Sequence, residues 1–230
     1  MSNGLPDQRP VPEQSPGAIR ELVMSLLAAP GLPAIVQAGH PALRQPSAIV
    51  DSQLSAGELE HLVDLMRDVM HDAPGVGLAA PQLGIPLQLA VLEDLYPVSA
   101  EISGTRNRHP LEFRTLINPS YVAVGSATAS FFEGCLSLDG LQAVVQRAGK
   151  VELTSTDLTG AVTRETFEGW QARIVQHEVD HLAGILYVDR AELRSLCSNT
   201  EYGRWAEPGI EGARQELGFL PDPHWAPGRH

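Results

Sequence analysis

Two histidines four residues apart, with a glutamate beside the first, are the residues of this chain best suited to metal chemistry. They lie within positions 176–184, whose sequence is QHEVDHLAG. On an α-helix, residues i and i+4 share a face, so His177 and His181 can hold one divalent ion while Glu178 reaches the water bound to it. The alternative is an ordinary helix with two surface histidines, and the apolar periodicity around the motif argues against it. The pattern predicts a metal-assisted hydrolase.

A site of this kind uses three protein ligands and keeps one position open for water. Cys135, within EGCLS at 133–137, is the best candidate for the third ligand. It follows a strand-like run and a glycine that allows close approach to the metal. A lone cysteine is by default a small core residue, which is the interpretation of Cys197. Asp189 and Glu192 stay open as third ligands of a zincin-type endopeptidase, a class that shares the two-histidine motif.

The metal motif needs a helix to hold it and strands to bring the cysteine to it. Apolar residues on adjacent stripes of 169–182 predict a helix buried on most sides, with Gly184 just past its end. Helices are also predicted at 17–29 and after Ser55, which forms a capping-box pattern with Glu58. Strand-like segments, separated by turn residues, are 87–93, 113–118, 121–132, 141–147, 150–156 and 161–167. The predicted fold class is α+β, with antiparallel β-sheets packed around a central buried helix that carries the metal motif, and with additional N-terminal helices.

The chain divides into one domain and two extensions by composition. Residues 1–16 contain four prolines among polar residues and are predicted to be a disordered arm, because they bury too little apolar surface to offset their ordering entropy. A single catalytic domain is predicted for residues 17–195. A Pro-rich, irregular C-terminal extension is predicted for residues 196–230, and a surface loop for 94–110.

Charge and cysteine content exclude several classes of function. The net charge of −12 over 230 residues opposes binding to nucleic acid and to anionic membrane surfaces. The two cysteines cannot form the disulfide framework of a small secreted protein, so a reducing compartment is favoured. The apolar run at 22–29 is far shorter than the roughly 20 residues that span a bilayer. We expect a cytoplasmic monomer.

Three segments in this order resemble the signature motifs of peptide deformylases: GVGLAAPQ at 75–82, EGCLS at 133–137, and QHEVDHLAG at 176–184. The resemblance covers roughly residues 40–190. It implies removal of the N-formyl group from nascent polypeptides that begin with formylmethionine, with release of formate. The partners it implies are formyl-Met peptides and nascent chains, and a transient contact with the ribosome stays open.

The resemblance also assigns the metal ligands and the base. It places one divalent metal on Cys135, His177 and His181, and makes Glu178 the general acid/base. The family typically uses Fe²⁺, whereas a Cys-His-His site also accepts Zn²⁺, Ni²⁺ or Co²⁺. A non-catalytic metal-binding protein on the same scaffold is the alternative from another class. It would require a defective base or oxyanion donor, and all of those residues are present.

The same resemblance implies an oxyanion site and a substrate pocket. The side-chain amide of Gln82 and the backbone N–H of Leu136 would stabilise the oxyanion, and Gly77 would offer backbone contact to the substrate. The candidates for an apolar pocket around the methionine side chain are Val76, Phe131, Trp170 and Ile174. Glu133 is expected to be a structural partner of Arg147. Asp139 and Gln142 replace a proline and an arginine common in bacterial relatives, so no arginine contact to the peptide backbone is carried over.

Overall fold

Two antiparallel sheets and one helix that contacts both form the centre of the fold. The structure is a computed structural model that describes residues 14–205 and 208–219. The predicted disordered arm lies outside the described residues except for its last three positions, and the prolines beyond 219 also lie outside them. In the described part of the chain, no helix is both long and apolar enough to cross a membrane.

The described part contains eight strands and six α-helices. The strands are β1 (Gly77–Ala79), β2 (Leu89–Asp94), β3 (Leu111–Ala123), β4 (Thr128–Gly134), β5 (Leu141–Ala148), β6 (Lys150–Thr156), β7 (Val162–Glu168) and β8 (Ala191–Ser198). The helices are α1 (Pro16–Ala28), α2 (Ala56–Asp72), α3 (Ala100–Arg106), α4 (Gly169–Leu182), α5 (Asn199–Tyr202) and α6 (Glu211–Leu217). One sheet has the order β1-β2-β3-β6-β7 and the other β4-β5-β8, with every strand pair antiparallel. The predicted α+β class is confirmed.

Helix α4 is the central buried helix, with the bounds that the sequence predicts. It begins at Gly169, whose φ of +58° is left-handed and where a Cβ would overlap the carbonyl oxygen of Asn107. It ends before Gly184, also left-handed at φ +76°, where a Cβ would lie 2.7 Å from the carbonyl carbon of Arg44. Its apolar face packs on the five-stranded sheet through Ala172, Val175, Val179 and Leu182. Glycine at both ends therefore lets neighbouring backbone approach the helix closely.

Helices α1 and α2 cover the outer side of β1 and β2. The predicted capping box of α2 is present: the Ser55 hydroxyl accepts from the Glu58 N–H at 3.3 Å, and the Glu58 carboxylate accepts from the Ser55 N–H at 2.8 Å. Ile19 and Val23 of α1 are fully buried against α2. Both predicted N-terminal helices are confirmed, and together they close the core behind the site.

The structure differs from the sequence prediction in three places. Strand β3 continues through Pro119 to Ala123, with Asn118 in a left-handed conformation at a register shift. The break between the predicted strands 113–118 and 121–132 is therefore absent, and the chain leaves the strand after Ala123 instead. The predicted loop at 94–110 contains α3. Just after residue 195, where the sequence predicts an irregular extension, β8 continues to Ser198 and pairs with β5. Short polar helices and an edge strand with weak alternation leave little periodic signal.

Candidate active site

The thiol of Cys135 and the imidazoles of His177 and His181 converge on one point. One ligand atom from each lies within 4.8 Å of the others, and the Cys135 Sγ is 3.3 Å from the His181 Nε2. Strand β4 delivers the cysteine just past its end, and one face of α4 presents both histidines, whose ring centroids are 4.9 Å apart. The i, i+4 spacing thus brings the two rings to the cysteine.

The alternative third ligands do not join this cluster. Within residues 14–205 and 208–219, the group of donors close enough to share an ion around the two histidines contains Cys135 and neither Asp189 nor Glu192. The Asp189 carboxylate pairs with Arg44 and accepts the Leu186 N–H at 2.8 Å. It therefore has a structural function at the turn after α4. Neither candidate third ligand of a zincin-type site is close enough to share an ion with the two histidines.

The two histidines are held in different electrostatic states. Burial lowers the pKa of His181 well below its usual range, so this ring stays neutral and able to donate a lone pair. Burial also acts to lower the pKa of His177, but hydrogen bonds with Cys135 and Glu133 hold that pKa well above its usual range. The His177 Nδ1 lies 3.0 Å from the Glu133 carboxylate, which leaves Nε2 as the atom for an ion. A thiolate and two imidazoles suit Fe²⁺, Zn²⁺, Co²⁺ and Ni²⁺, so the residues fit a divalent transition metal.

A buried ion-pair network orients His177. The Glu133 carboxylate accepts from the Arg147 Nε and Nη2 at 3.0 and 2.9 Å and from the Arg173 Nη1 at 2.5 Å. Although burial acts to raise it, these guanidinium groups keep the pKa of Glu133 well below its usual range. Arg147 also pairs with Asp180. The predicted Glu133 and Arg147 pair is confirmed, and the carboxylate remains ionised to hold the histidine.

The other members of this network are not predicted from the sequence. Asp180 accepts a bidentate pair from Arg190 at 2.8 and 3.0 Å, and Arg173 is 3% exposed. Arg173 and Asp180 are charged residues on a buried helix with an apolar face. Charged side chains are rarely buried without partners, so their position in the sequence indicates buried ion pairs.

Glu178 lies beside the cluster as a buried carboxylate. It is 4% exposed, and its Oε2 has no hydrogen-bond partner among the described residues. Burial raises its pKa to about 7, close to the optimum for proton transfer near neutral pH. A Cβ at Gly77 would lie 2.6 Å from the Glu178 Cδ, so the glycine predicted to contact substrate also provides the space for this carboxylate.

Gln82 directs its amide N–H toward the cysteine. Its Oε1 accepts the Ala79 N–H at 2.9 Å, while its Nε2 lies 3.7 Å from the Cys135 Sγ and 3.3 Å from the Ser137 Oγ. Leu136 directly follows the cysteine, and its carbonyl accepts from the Gln37 Nε2 at 3.0 Å. The Gln82 amide thus lies beside the cysteine sulfur, and Leu136 is the next residue in the chain.

A cavity of about 1030 Å³ opens onto these residues. Of the predicted pocket residues, Val76, Trp170 and Ile174 line it, as does Gly77. The described lining does not include Phe131, whose ring packs edge-on against Trp170 with centroids 6.1 Å apart. The lining residues that the sequence prediction missed include Arg106, Arg173, Asn199 and Tyr202.

Comparisons with known proteins agree with this geometry. A family model described as polypeptide deformylase matches residues 32–196. Peptide deformylase 3 of Streptomyces avermitilis is 54% identical over 206 residues, which cover 89% of this chain and 92% of that protein. A class I type b peptide deformylase from Acinetobacter baumannii with Met-Ala-Ser bound superposes with a TM-score of 0.63 at 31% identity, covering 70% of this chain and 99% of that one. A Synechococcus elongatus peptide deformylase in complex with actinonin gives 0.60 at 32% identity, covering 84% and 89%.

Proposed function

Because this chain belongs to the polypeptide deformylase family, we propose that it hydrolyses the N-formyl group of polypeptides that begin with formylmethionine. The products are formate and a free N-terminal amine. The observation that carries the proposal is the convergence of Cys135, His177 and His181 beside the buried carboxylate of Glu178, at the wall of a cavity. The Met-Ala-Ser bound to the Acinetobacter relative has the sequence of a deformylated product, which supports the same chemistry here.

The metal proposed for this site is Fe²⁺, with Zn²⁺, Ni²⁺ and Co²⁺ as ions that a purified sample can also carry. Cys135, His177 and His181 would hold it. When bound, a divalent ion supplies Lewis acidity to the formyl carbonyl and lowers the pKa of nearby water. In the Irving–Williams order, Zn²⁺ binds such a site more tightly than Fe²⁺ does, so the metal content of a preparation depends on how it is made.

Glu178 moves the protons of the reaction. Its carboxylate accepts a proton from the attacking water, and the resulting carboxylic acid donates that proton to the amine as the C–N bond breaks. Oxygen is thereby added to the formyl carbon, formate leaves, and Glu178 returns to its starting state. A buried carboxylate with a pKa of about 7 suits both steps, since neither form is strongly favoured near neutral pH.

Two N–H donors stabilise the negative charge that develops on the formyl oxygen. They are the Gln82 side-chain amide, fixed by its bond to the Ala79 N–H, and the backbone of Leu136. Because their dipoles are oriented before the substrate binds, no reorganisation is needed as the charge appears.

The cavity receives the methionine side chain. Val76, Trp170 and Ile174 supply apolar surface, and the Gly77 backbone contacts the peptide. Phe131 acts from behind Trp170 by fixing the orientation of its ring. An apolar pocket with a few oriented polar groups at its mouth is the usual form of a small-ligand site.

The natural substrates proposed are nascent chains, which the enzyme meets through a transient contact with the ribosome. We propose that the enzyme is a monomer and that it is located in the cytoplasm. Cys135 must stay reduced to act as a ligand, and both described cysteines are free thiols. A reducing compartment in which translation takes place keeps Cys135 reduced and supplies the nascent chains.

Formate release tests the proposal. Anaerobically purified protein loaded with Fe²⁺ is expected to release formate from formyl-Met-Ala-Ser, and Glu178→Ala is expected not to. Metal analysis of Cys135→Ala should find the ion lost. Absence of formate release from metal-loaded wild-type protein would refute the proposed function.

A further inference from the structure

The segment at 94–110 forms part of the cavity wall. Its helix α3 ends at Arg106, which lines the same cavity as Trp170, Arg173 and Ile174. The three motifs at 75–82, 133–137 and 176–184 lie elsewhere in the chain, so this part of the wall is separate from them.

Two aromatic rings and a backbone carbonyl contact the Arg106 side chain. Its Cζ lies 4.9 Å from the ring centroid of Trp170 and 5.5 Å from that of Phe131. Its Nε donates to the Pro208 carbonyl oxygen at 3.1 Å. A planar guanidinium that stacks on aromatic rings and donates to a fixed carbonyl loses several interactions when it moves.

The backbone that carries Arg106 is tied to the start of α4. The carbonyl oxygen of Asn107 accepts the Trp170 N–H at 3.3 Å, and there is no space for a side chain at Gly169 between them. Arg108 makes a bidentate pair at 2.8 and 2.7 Å with Asp94, which is 1% exposed. The backbone on the C-terminal side of Arg106 is therefore anchored to the start of α4 and to the end of β2.

A second guanidinium bounds the same aromatic pair. The Cζ of Arg173 lies 5.3 Å from the ring centroid of Phe131 and 5.7 Å from that of Trp170. Its Nη1 is held by Glu133 at 2.5 Å. An apolar side chain that extends past the rings would have to displace or desolvate one of these charged groups, which is costly.

We propose that Arg106 is a specificity-determining residue that limits the length of the first side chain of the substrate to about that of methionine. The inference rests on the proposed function, because it concerns the same pocket. It assigns the segment at 94–110 a function in selecting substrate rather than in catalysis. Removing the guanidinium should widen the cavity beside the Trp170 ring and leave the three metal-binding residues in place.

A series of S-alkyl homocysteine substrates tests this inference. The substrates are formyl-Met-Ala-Ser and its S-ethyl and S-propyl analogues, assayed by formate release with Fe²⁺-loaded Arg106→Ala and wild-type protein. Each methylene that becomes buried is worth about fourfold. The S-propyl side chain has two more methylenes than methionine, so the ratio of kcat/KM for the S-propyl substrate to that for the methionine substrate should rise about sixteenfold in Arg106→Ala. Arg114→Ala, at an exposed ion pair with Glu165, is the matched control and should leave the ratio unchanged.

The outcomes separate the two proposals. An unchanged ratio in Arg106→Ala, whether its methionine activity is retained or reduced, would overturn the specificity inference while the proposed function stands. If Arg106→Ala fails to fold, Arg106→Gln, which keeps most of the stem, must raise the ratio or the inference fails. Absence of formate release from wild-type protein with all substrates would instead refute the proposed function.

Discussion

Replacing Glu133 with glutamine should destabilise the protein by about 3 kcal/mol. Its carboxylate accepts two hydrogen bonds from Arg147 and one from Arg173, all buried, and one from the half-buried His177 ring. Breaking a buried ion pair from one side costs about 3–5 kcal/mol, because the remaining charge is left uncompensated. Asp180 continues to pair with Arg147, so the loss falls at the lower end of that range.

Urea and thermal unfolding of Glu133→Gln measure this loss. For a chain of this size, 1 kcal/mol shifts Tm by about 2–4 °C, so a decrease of about 6–12 °C is expected. The control is Glu165→Gln, which removes an exposed ion pair and should change the free energy of unfolding by no more than about 1 kcal/mol. The glutamine side chain of Glu133→Gln does not hold the His177 ring as the carboxylate does, so metal affinity should fall about 10–100-fold. A free-energy change below about 1 kcal/mol with unaltered metal affinity would show that Glu133 neither stabilises the core nor orients His177.

Three further predictions concern the oxyanion donor, the space around the base and the pH dependence of stability. Gln82→Ala should lower kcat about 100- to 1000-fold while metal content stays at the wild-type level; formate kinetics with metal analysis test this, and an unchanged kcat would contradict it. Gly77→Ala should displace the Glu178 carboxylate and reduce kcat at full metal occupancy, as the same two measurements report; wild-type kcat would show that the space is not needed. Glu133 has a depressed pKa in the folded state. The difference in unfolding free energy between wild type and Glu133→Gln should therefore be full above a pH of about 4.3, the ordinary carboxyl pKa, and should narrow as the pH falls below it. Urea midpoints from pH 7 to pH 3 test this, and a difference that widens toward acid pH would contradict it.

The sequence predicts the metal helix well because its signals are local. Apolar stripes define the helix, and the left-handed glycines at its two ends mark where neighbouring backbone crosses it. The capping box of α2 is equally local, with both partners three residues apart. Helix position and the i, i+4 pair of histidines follow from these short-range patterns.

The members of the ion-pair network that the prediction missed depend on contacts between distant residues. Arg173 pairs with Glu133 across forty positions, and Arg190 reaches back ten positions to Asp180. Nothing in the residue types alone says which charged side chains meet in the core. Likewise α3 has seven residues, and its place at the cavity comes from tertiary contacts of Asn107 and Arg108 rather than from its own helical propensity.

The proton-transfer role of Glu178 is tested most directly by formate release from Fe²⁺-loaded Glu178→Gln beside the wild-type protein, with metal content determined for both. The amide keeps the size of the side chain and removes its capacity to accept a proton from water. We expect equal metal occupancy and a loss of kcat of at least about 100-fold. A Glu178→Gln protein that holds the metal and releases formate at the wild-type rate would contradict this role.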